Sequence, residues 1–138
     1  YYSNNLFTTG VKATSKEEVL QQMCDQIDRY GLLPDGFYES VLERESMGLT
    51  DFGNFTAIPH PLKVMSQDTF VAVAILDKPI LWTQNEVQVV FLLSVGSAKD
   101  KNLEAFYQKT SSLLFDKEAI QQLLNNPTFE TLVSLITK

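Results

Sequence analysis

Two stretches of the chain, Thr69 to Leu76 and Glu86 to Val95, are β-branched or apolar at nearly every position. A strand with one wet face alternates polar and apolar residues, so runs like these read as central strands buried on both faces. Helices must then cover the sheet on two sides. The flanking sequence supplies them. Ser15 followed by Lys16-Glu17-Glu18 has the form of a capping box, and Val19, Leu20, Met23, Cys24, Ile27 and Tyr30 share one helical face before Gly31. A second helix is expected from Asp35 or Gly36 to Met47, with Gly48 as its stop and Arg44 and Glu45 in its last turn. Three more follow the second run: Asn102 to Phe115, Lys117 to Leu124 and, after Pro127, Thr128 to Ile136. Threonine-rich Leu6 to Val11 reads as an edge strand, Thr56-Ala57-Ile58 as a short extended segment, and a weaker segment holds Leu81 and Trp82 beyond Asp77-Lys78-Pro79. The expected fold is a three-layer α/β/α sandwich around a mixed, roughly five-stranded sheet, as one domain over residues 1–138.

Charge narrows the functional classes. A formal net charge of −6 opposes direct binding of DNA or RNA, whose affinity is supplied mostly by clustered Lys and Arg. The apolar runs fall far short of the roughly 20 residues of a membrane-spanning helix, so no direct membrane role is expected. One cysteine cannot form an internal disulfide, and with no signal-type segment the reading is a cytoplasmic protein with Cys24 as a core thiol. The chain opens Tyr1-Tyr2-Ser3 without an initiator methionine, as a piece excised from a longer protein would.

The only histidine stands in Ile58-Pro59-His60-Pro61, after Leu49-Thr50-Asp51-Phe52-Gly53-Asn54. Pro59 has a fixed φ, and Pro61 pushes His60 out of the α region, so the ring sits on a stiff mount. Imidazole suits nucleophilic work near neutral pH. A solvated loop residue is the plain alternative. With no second histidine, a zinc site would need carboxylates for most of its ligands, so no metal or other cofactor is expected. No Gly-x-Ser-x-Gly elbow supports a hydrolase. Only two arginines occur, Arg29 and Arg44, which leaves few candidates for bidentate recognition of a phosphoryl group. Arg44 has its own plain reading, a solvated cation at a helix C-terminus. Gly53 reads either as a turn residue needing positive φ or as part of a binding loop.

Together, Val41-Leu42-Glu43-Arg44-Glu45, Gly53-Asn54, Ala57-Ile58-Pro59-His60 and the strand Val87 to Leu93 resemble the enzyme IIA domains of the mannitol and fructose type in the bacterial sugar phosphotransferase system. The resemblance spans Leu6 to Lys138. It implies a phosphohistidine acceptor or carrier rather than a hydrolase or oxidoreductase, with His60 taking a phosphoryl group from the histidine-containing phosphocarrier protein and a IIB protein as a second partner. It tips Arg44 toward stabilising phosphoryl charge, with amides near Gly53 and Asn54 and the Thr56 hydroxyl as weaker donors. Two departures stand out. Asn102 occupies the position where transport members often carry a second histidine, and Pro61 replaces a common glycine and removes a backbone donor. The Pro-His-Pro form looks more like the IIA-like domains that end transcriptional activators and antiterminators. The expected function is regulation of such a parent through its other domains, with two alternatives: a transport IIA that passes phosphate onward, and an interaction module of the same fold that is not phosphorylated.

Overall fold

The computed structural model describes residues 1–137. In chain order the elements are β1 (Tyr2–Val11), α1 (Lys16–Arg29), α2 (Phe37–Glu45), β2 (Thr56–Ala57), β3 (Phe70–Leu81), β4 (Glu86–Ser94), α3 (Leu103–Leu114), α4 (Lys117–Asn125) and α5 (Phe129–Ile136). The two apolar runs are the middle strands of a sheet ordered β1-β3-β4-β2. β3 and β4 pair antiparallel, while β1 joins β3 and β2 joins β4 in parallel, so the sheet is mixed. Successive side chains of a strand face opposite ways. Phe70, Ala72, Ala74 and Leu76 accordingly pack with Val19, Leu20, Ile27, Phe37 and Val41 of α1 and α2. Val71, Val73 and Ile75 pack on the other side with Phe106, Leu113, Ile120, Leu123 and Leu132 of α3 to α5. The three-layer sandwich is thus written in the uninterrupted apolar runs.

The sheet has four strands rather than about five. Asp77-Lys78-Pro79 does not end β3. The strand passes through it in a bulge, with the register moving from Ile75↔Val89 to Ile80↔Val87. A bulge tolerates Pro79, whose missing N–H has no ladder partner to serve. Gln88 Nε2 donates to the carbonyl of Leu76 at 3.0 Å, satisfying an acceptor inside the bulge. Leu81 therefore belongs to β3, and Trp82 is buried in the turn to β4. β1 also starts earlier than expected, at Tyr2.

Local signals act as their chemistry predicts at the ends of α1. The Ser15 hydroxyl accepts from the Glu18 amide at 3.2 Å, and Gly31, at φ 69°, turns the chain out of the helix. After β4 the chain needs Gly96. A Cβ there would lie 2.4 Å from the Gln67 carbonyl oxygen and from the carbonyl carbon of Asp68, because the 66–69 backbone runs against it.

Candidate functional site

His60 follows β2, at the edge where β2 and β4, parallel to each other, both end. The Leu93 amide donates to the Pro59 carbonyl at 3.0 Å, which carries the β2–β4 pairing up to the histidine. Carboxyl ends of strands are the usual location of sites in α/β sheets. The His60 ring is half-buried, and its Nδ1 lies 3.0 Å from the carbonyl oxygen of Ile58. A carbonyl only accepts, so Nδ1 is the donor of this bond, and in the neutral ring the free lone pair belongs to Nε2. The sequence left the partner of that N–H unnamed; it is the backbone two residues before the ring.

A shallow depression of about 280 Å³ opens beside the ring, lined by His60, Pro61, Leu62, Lys63, Val64 and Val95. Leu62 and Val64 are 41% and 55% exposed, an apolar collar interrupted by the Lys63 cation. Neither amide after His60 is free to meet an anion. Pro61 has none, and the Leu62 N–H donates to Ser40 Oγ on α2 at 3.0 Å. That bond docks α2 against the histidine loop. Arg44 lies one turn beyond Ser40 on the same face of α2. Its guanidinium makes one long contact, 3.4 Å to the Gly48 carbonyl, and among the described residues the one ion pair is Lys16–Glu45, so Arg44 is uncommitted.

The remaining sequence candidates divide. Gly53, Asn54 and Phe55 form the tip of a tight hairpin closed by Phe52 N–H donating to the Thr56 carbonyl at 2.9 Å. Gly53 is not the residue with positive φ; Asn54 (64°) and Phe55 (61°) are, and the space a Gly53 side chain would occupy is open. The Asn54 side chain points away from a phosphoryl role, donating to the Leu114 carbonyl at the end of α3 at 3.2 Å. Thr56 is fully buried and its hydroxyl donates to the Gly53 carbonyl at 3.1 Å. Asn102 is exposed at the N-terminus of α3, makes no side-chain capping bond, and no hydrogen bond joins it to His60 among the described residues. Lys63, Ser40 and the Ile58 carbonyl were not singled out from sequence. An exposed lysine, a helix serine and a backbone oxygen leave no pattern to read.

Behind the site lie two buried carboxylates. Glu45 accepts from Trp82 Nε1 at 2.9 Å and from Thr50 Oγ1, and pairs with Lys16 Nζ at 3.4 Å. Asp51 Oδ2 accepts from the amides of Gln84 (2.9 Å) and Asn85 (2.7 Å) and from Asn85 Nδ2 (3.1 Å), while its Oδ1 has no partner among the described residues. Burial pushes the Asp51 carboxyl up, but these donors outweigh it and the net displacement is downward. Burial pushes the Cys24 thiol up to about 12, with Asp25 and Glu39 adding to it, so the thiolate is absent near neutral pH and Cys24 is core material. No helix among the described residues is long and apolar enough to cross a membrane.

The two-sided α/β sandwich has close counterparts among solved structures. It superposes on a chain of the Escherichia coli complex of enzyme IIAMTL and phosphorylated enzyme IIBMTL with a TM-score of 0.81, over 99% of both chains at 16% identity. For the nitrogen regulatory protein IIA-Ntr of Neisseria meningitidis the TM-score is 0.78, over 98% and 95% of the two chains at 19% identity. The class is therefore the fold of mannitol-type IIA domains. The family model for the phosphoenolpyruvate-dependent sugar phosphotransferase system, EIIA 2, matches residues 1–138, and the chain belongs to that family. A probable licABCH operon regulator of Bacillus subtilis is 39% identical over 118 residues, 86% of this chain but 18% of the regulator. The transcriptional regulator ManR of the same organism is 23% identical over 123 residues, 89% of this chain and 19% of ManR. The chain thus spans about a fifth of the length of these two relatives. A nitrogen regulatory protein of Pseudomonas aeruginosa is 29% identical over 134 residues, covering 92% of this chain and 86% of that protein.

Proposed function

We propose that the domain accepts a phosphoryl group on Nε2 of His60 from the histidine-containing phosphocarrier protein, and that this modification regulates a parent transcriptional regulator working in the cytoplasm. The observation that carries the reading is the 3.0 Å bond from Nδ1 to the Ile58 carbonyl. It fixes the tautomer and directs the Nε2 lone pair to attack. In the transfer, Nε2 forms a bond to phosphorus as the carrier's phosphorus–nitrogen bond breaks and its electron pair returns to the carrier imidazole. Nδ1 keeps its proton, and the Ile58 carbonyl faces the positive character that develops on the ring. Arg44 and Lys63 meet the phosphoryl oxygens, and the apolar collar of Leu62 and Val64 receives the partner surface.

Regulation is favoured over transport by the 39% identity to an operon regulator and by Asn102 and Pro61 in place of histidine and glycine. The second reading, a transport IIA handing phosphate to a IIB protein, draws on the solved IIA–IIB complex of like fold and on a mannitol-specific IIA component of Halalkalibacterium halodurans, 24% identical over 126 residues. Incubation with phosphoenolpyruvate, the general phosphotransferase enzyme and the phosphocarrier tests the core of both. Acid-labile, base-stable label is expected on the wild type and absent from His60→Ala. Label that survives His60→Ala refutes the assignment.

A further inference from the structure

Glu45 follows Arg44 in the last turn of α2 and is 5% exposed. Two effects oppose a carboxylate in that place. Burial strips its water, and a negative charge at a helix C-terminus faces the partial negative charge of the last carbonyls. Methionine or leucine would meet neither opposition. The carboxylate instead gathers donors from three separate parts of the fold: Lys16 at the start of α1 (3.4 Å), Trp82 in the β3–β4 turn (2.9 Å) and the hydroxyl of Thr50. The third of these leads to the imidazole. The Thr50 carbonyl accepts from the Ile58 amide at 2.9 Å, and the Ile58 carbonyl accepts from His60 Nδ1 at 3.0 Å. Glu45 is therefore tied to both arms of the site, by the chain to Arg44 and by Thr50 and Ile58 to His60.

We propose that Glu45 is a positioning residue that sets Arg44 against His60 for phosphoryl transfer; the proposal rests on the reading of His60 as acceptor. Glu45 does not touch the phosphoryl group. It holds the end of α2 and the histidine segment in one register through the donors it satisfies.

The test compares wild type, His60→Ala, Arg44→Ala, Glu45→Met, Thr50→Val and the Glu45→Met/Thr50→Val double variant, in thermal unfolding and in initial rates of labelling from the phosphorylated carrier. Glu45→Met leaves the Trp82 N–H and the Thr50 hydroxyl without their acceptor, so its unfolding midpoint is expected to fall; at a temperature where it stays folded it is still expected to lose at least about tenfold in maximal rate, since small misplacements of a reacting pair are that costly. The carrier concentration for half-saturation stays unchanged, because the collar around His60 is untouched. Thr50→Val loses less, and the double variant is no slower than Glu45→Met, because both act along one path. Glu45→Gln, which keeps the volume and an acceptor for Trp82, serves if the methionine variant folds poorly, and is expected to transfer faster than Glu45→Met. The single tryptophan, Trp82, reports the contact directly by fluorescence, which should change in Glu45→Met and not in Arg44→Ala. Wild-type transfer by Glu45→Met, or a rate loss that only tracks the unfolded fraction, overturns the positioning role while leaving His60 as acceptor. An unlabelled wild type, or a labelled His60→Ala, overturns the reading beneath it as well.

Discussion

Replacing Arg44 with alanine separates chemistry from stability more sharply than any other single change. The phosphoryl group arriving at His60 finds few fixed donors: Pro61 has no N–H, the Leu62 amide is held by Ser40 at 3.0 Å, and the Thr56 hydroxyl by Gly53 at 3.1 Å. On the proposed reading, Arg44 and Lys63 would be left to meet the charge. Losing charge-assisted hydrogen bonds costs about 1.5–3 kcal/mol, or roughly 10- to 150-fold in rate at 1.36 kcal/mol per decade. The fold loses little. Arg44 contributes one 3.4 Å contact to Gly48 and a favourable charge at the end of α2, together worth about 1 kcal/mol or less. Initial labelling rates at several carrier concentrations, alongside urea unfolding, measure both quantities on one protein stock. Arg44→Lys should fall between, because it keeps the charge but not the fork. Normal labelling with a large loss of stability would refute the argument and make Arg44 a structural residue.

Three further outcomes follow from the geometry. Gly96→Ala should cost about 2–4 kcal/mol in urea unfolding, from overpacking and the strained bond between the Gly96 amide and Thr69 Oγ1; a loss under about 1 kcal/mol would show that the 66–69 backbone yields freely. Asp51, with its folded carboxyl held below the usual range, contributes stability that is fully present above the ordinary carboxylate pKa and lost as pH falls through the folded value; Asp51→Asn should flatten that acid limb of the stability curve, and an unchanged limb would exclude the assignment. In a single-turnover chase, phospho-His60 should pass to a mannitol-type IIB protein more slowly than a transport IIA does, and Asn102→His with Pro61→Gly should speed it. Equal wild-type rates would promote the transport reading.

What the sequence disclosed and what it hid have physical causes. Uninterrupted apolar runs declare a two-sided sheet, and Ser15, Gly31 and the prolines around His60 act through local backbone chemistry that a reader can follow residue by residue. The hidden parts depend on contacts between distant segments. Glu45 meets Trp82 across 37 positions and Leu62 meets Ser40 across 22, separations that no periodicity reports. The His60 N–H goes to a backbone oxygen, which every residue has. Pro79 looked like a terminator because the bulge that accommodates it exists only once β4 is paired. Asn54 and Phe55 take the left-handed conformation that Gly53 seemed to announce, and the bond from Asn54 to Leu114 helps to hold the tip in place.

Under the proposed phosphorylation of His60, the two states of the site would differ in sign. Arg44 and Lys63 have no carboxylate partner among the described residues, and Lys63 places a cation beside His60 on a domain of net charge −6. The proposed phosphoryl group would bring roughly −1.5 to −2 charge to Nε2, more than the Lys63 cation beside it balances. Leu62 and Val64 stand beside that charge, so a partner docking there meets the same apolar collar with opposite electrostatics in the two states. A fixed cradle of backbone amides would instead hold the phosphate as an internal ligand and hide it. On the proposed reading, Pro61 and Ser40 deny the group two neighbouring amides and leave it to side chains at the rim, which would keep the modification at the surface for another domain to read.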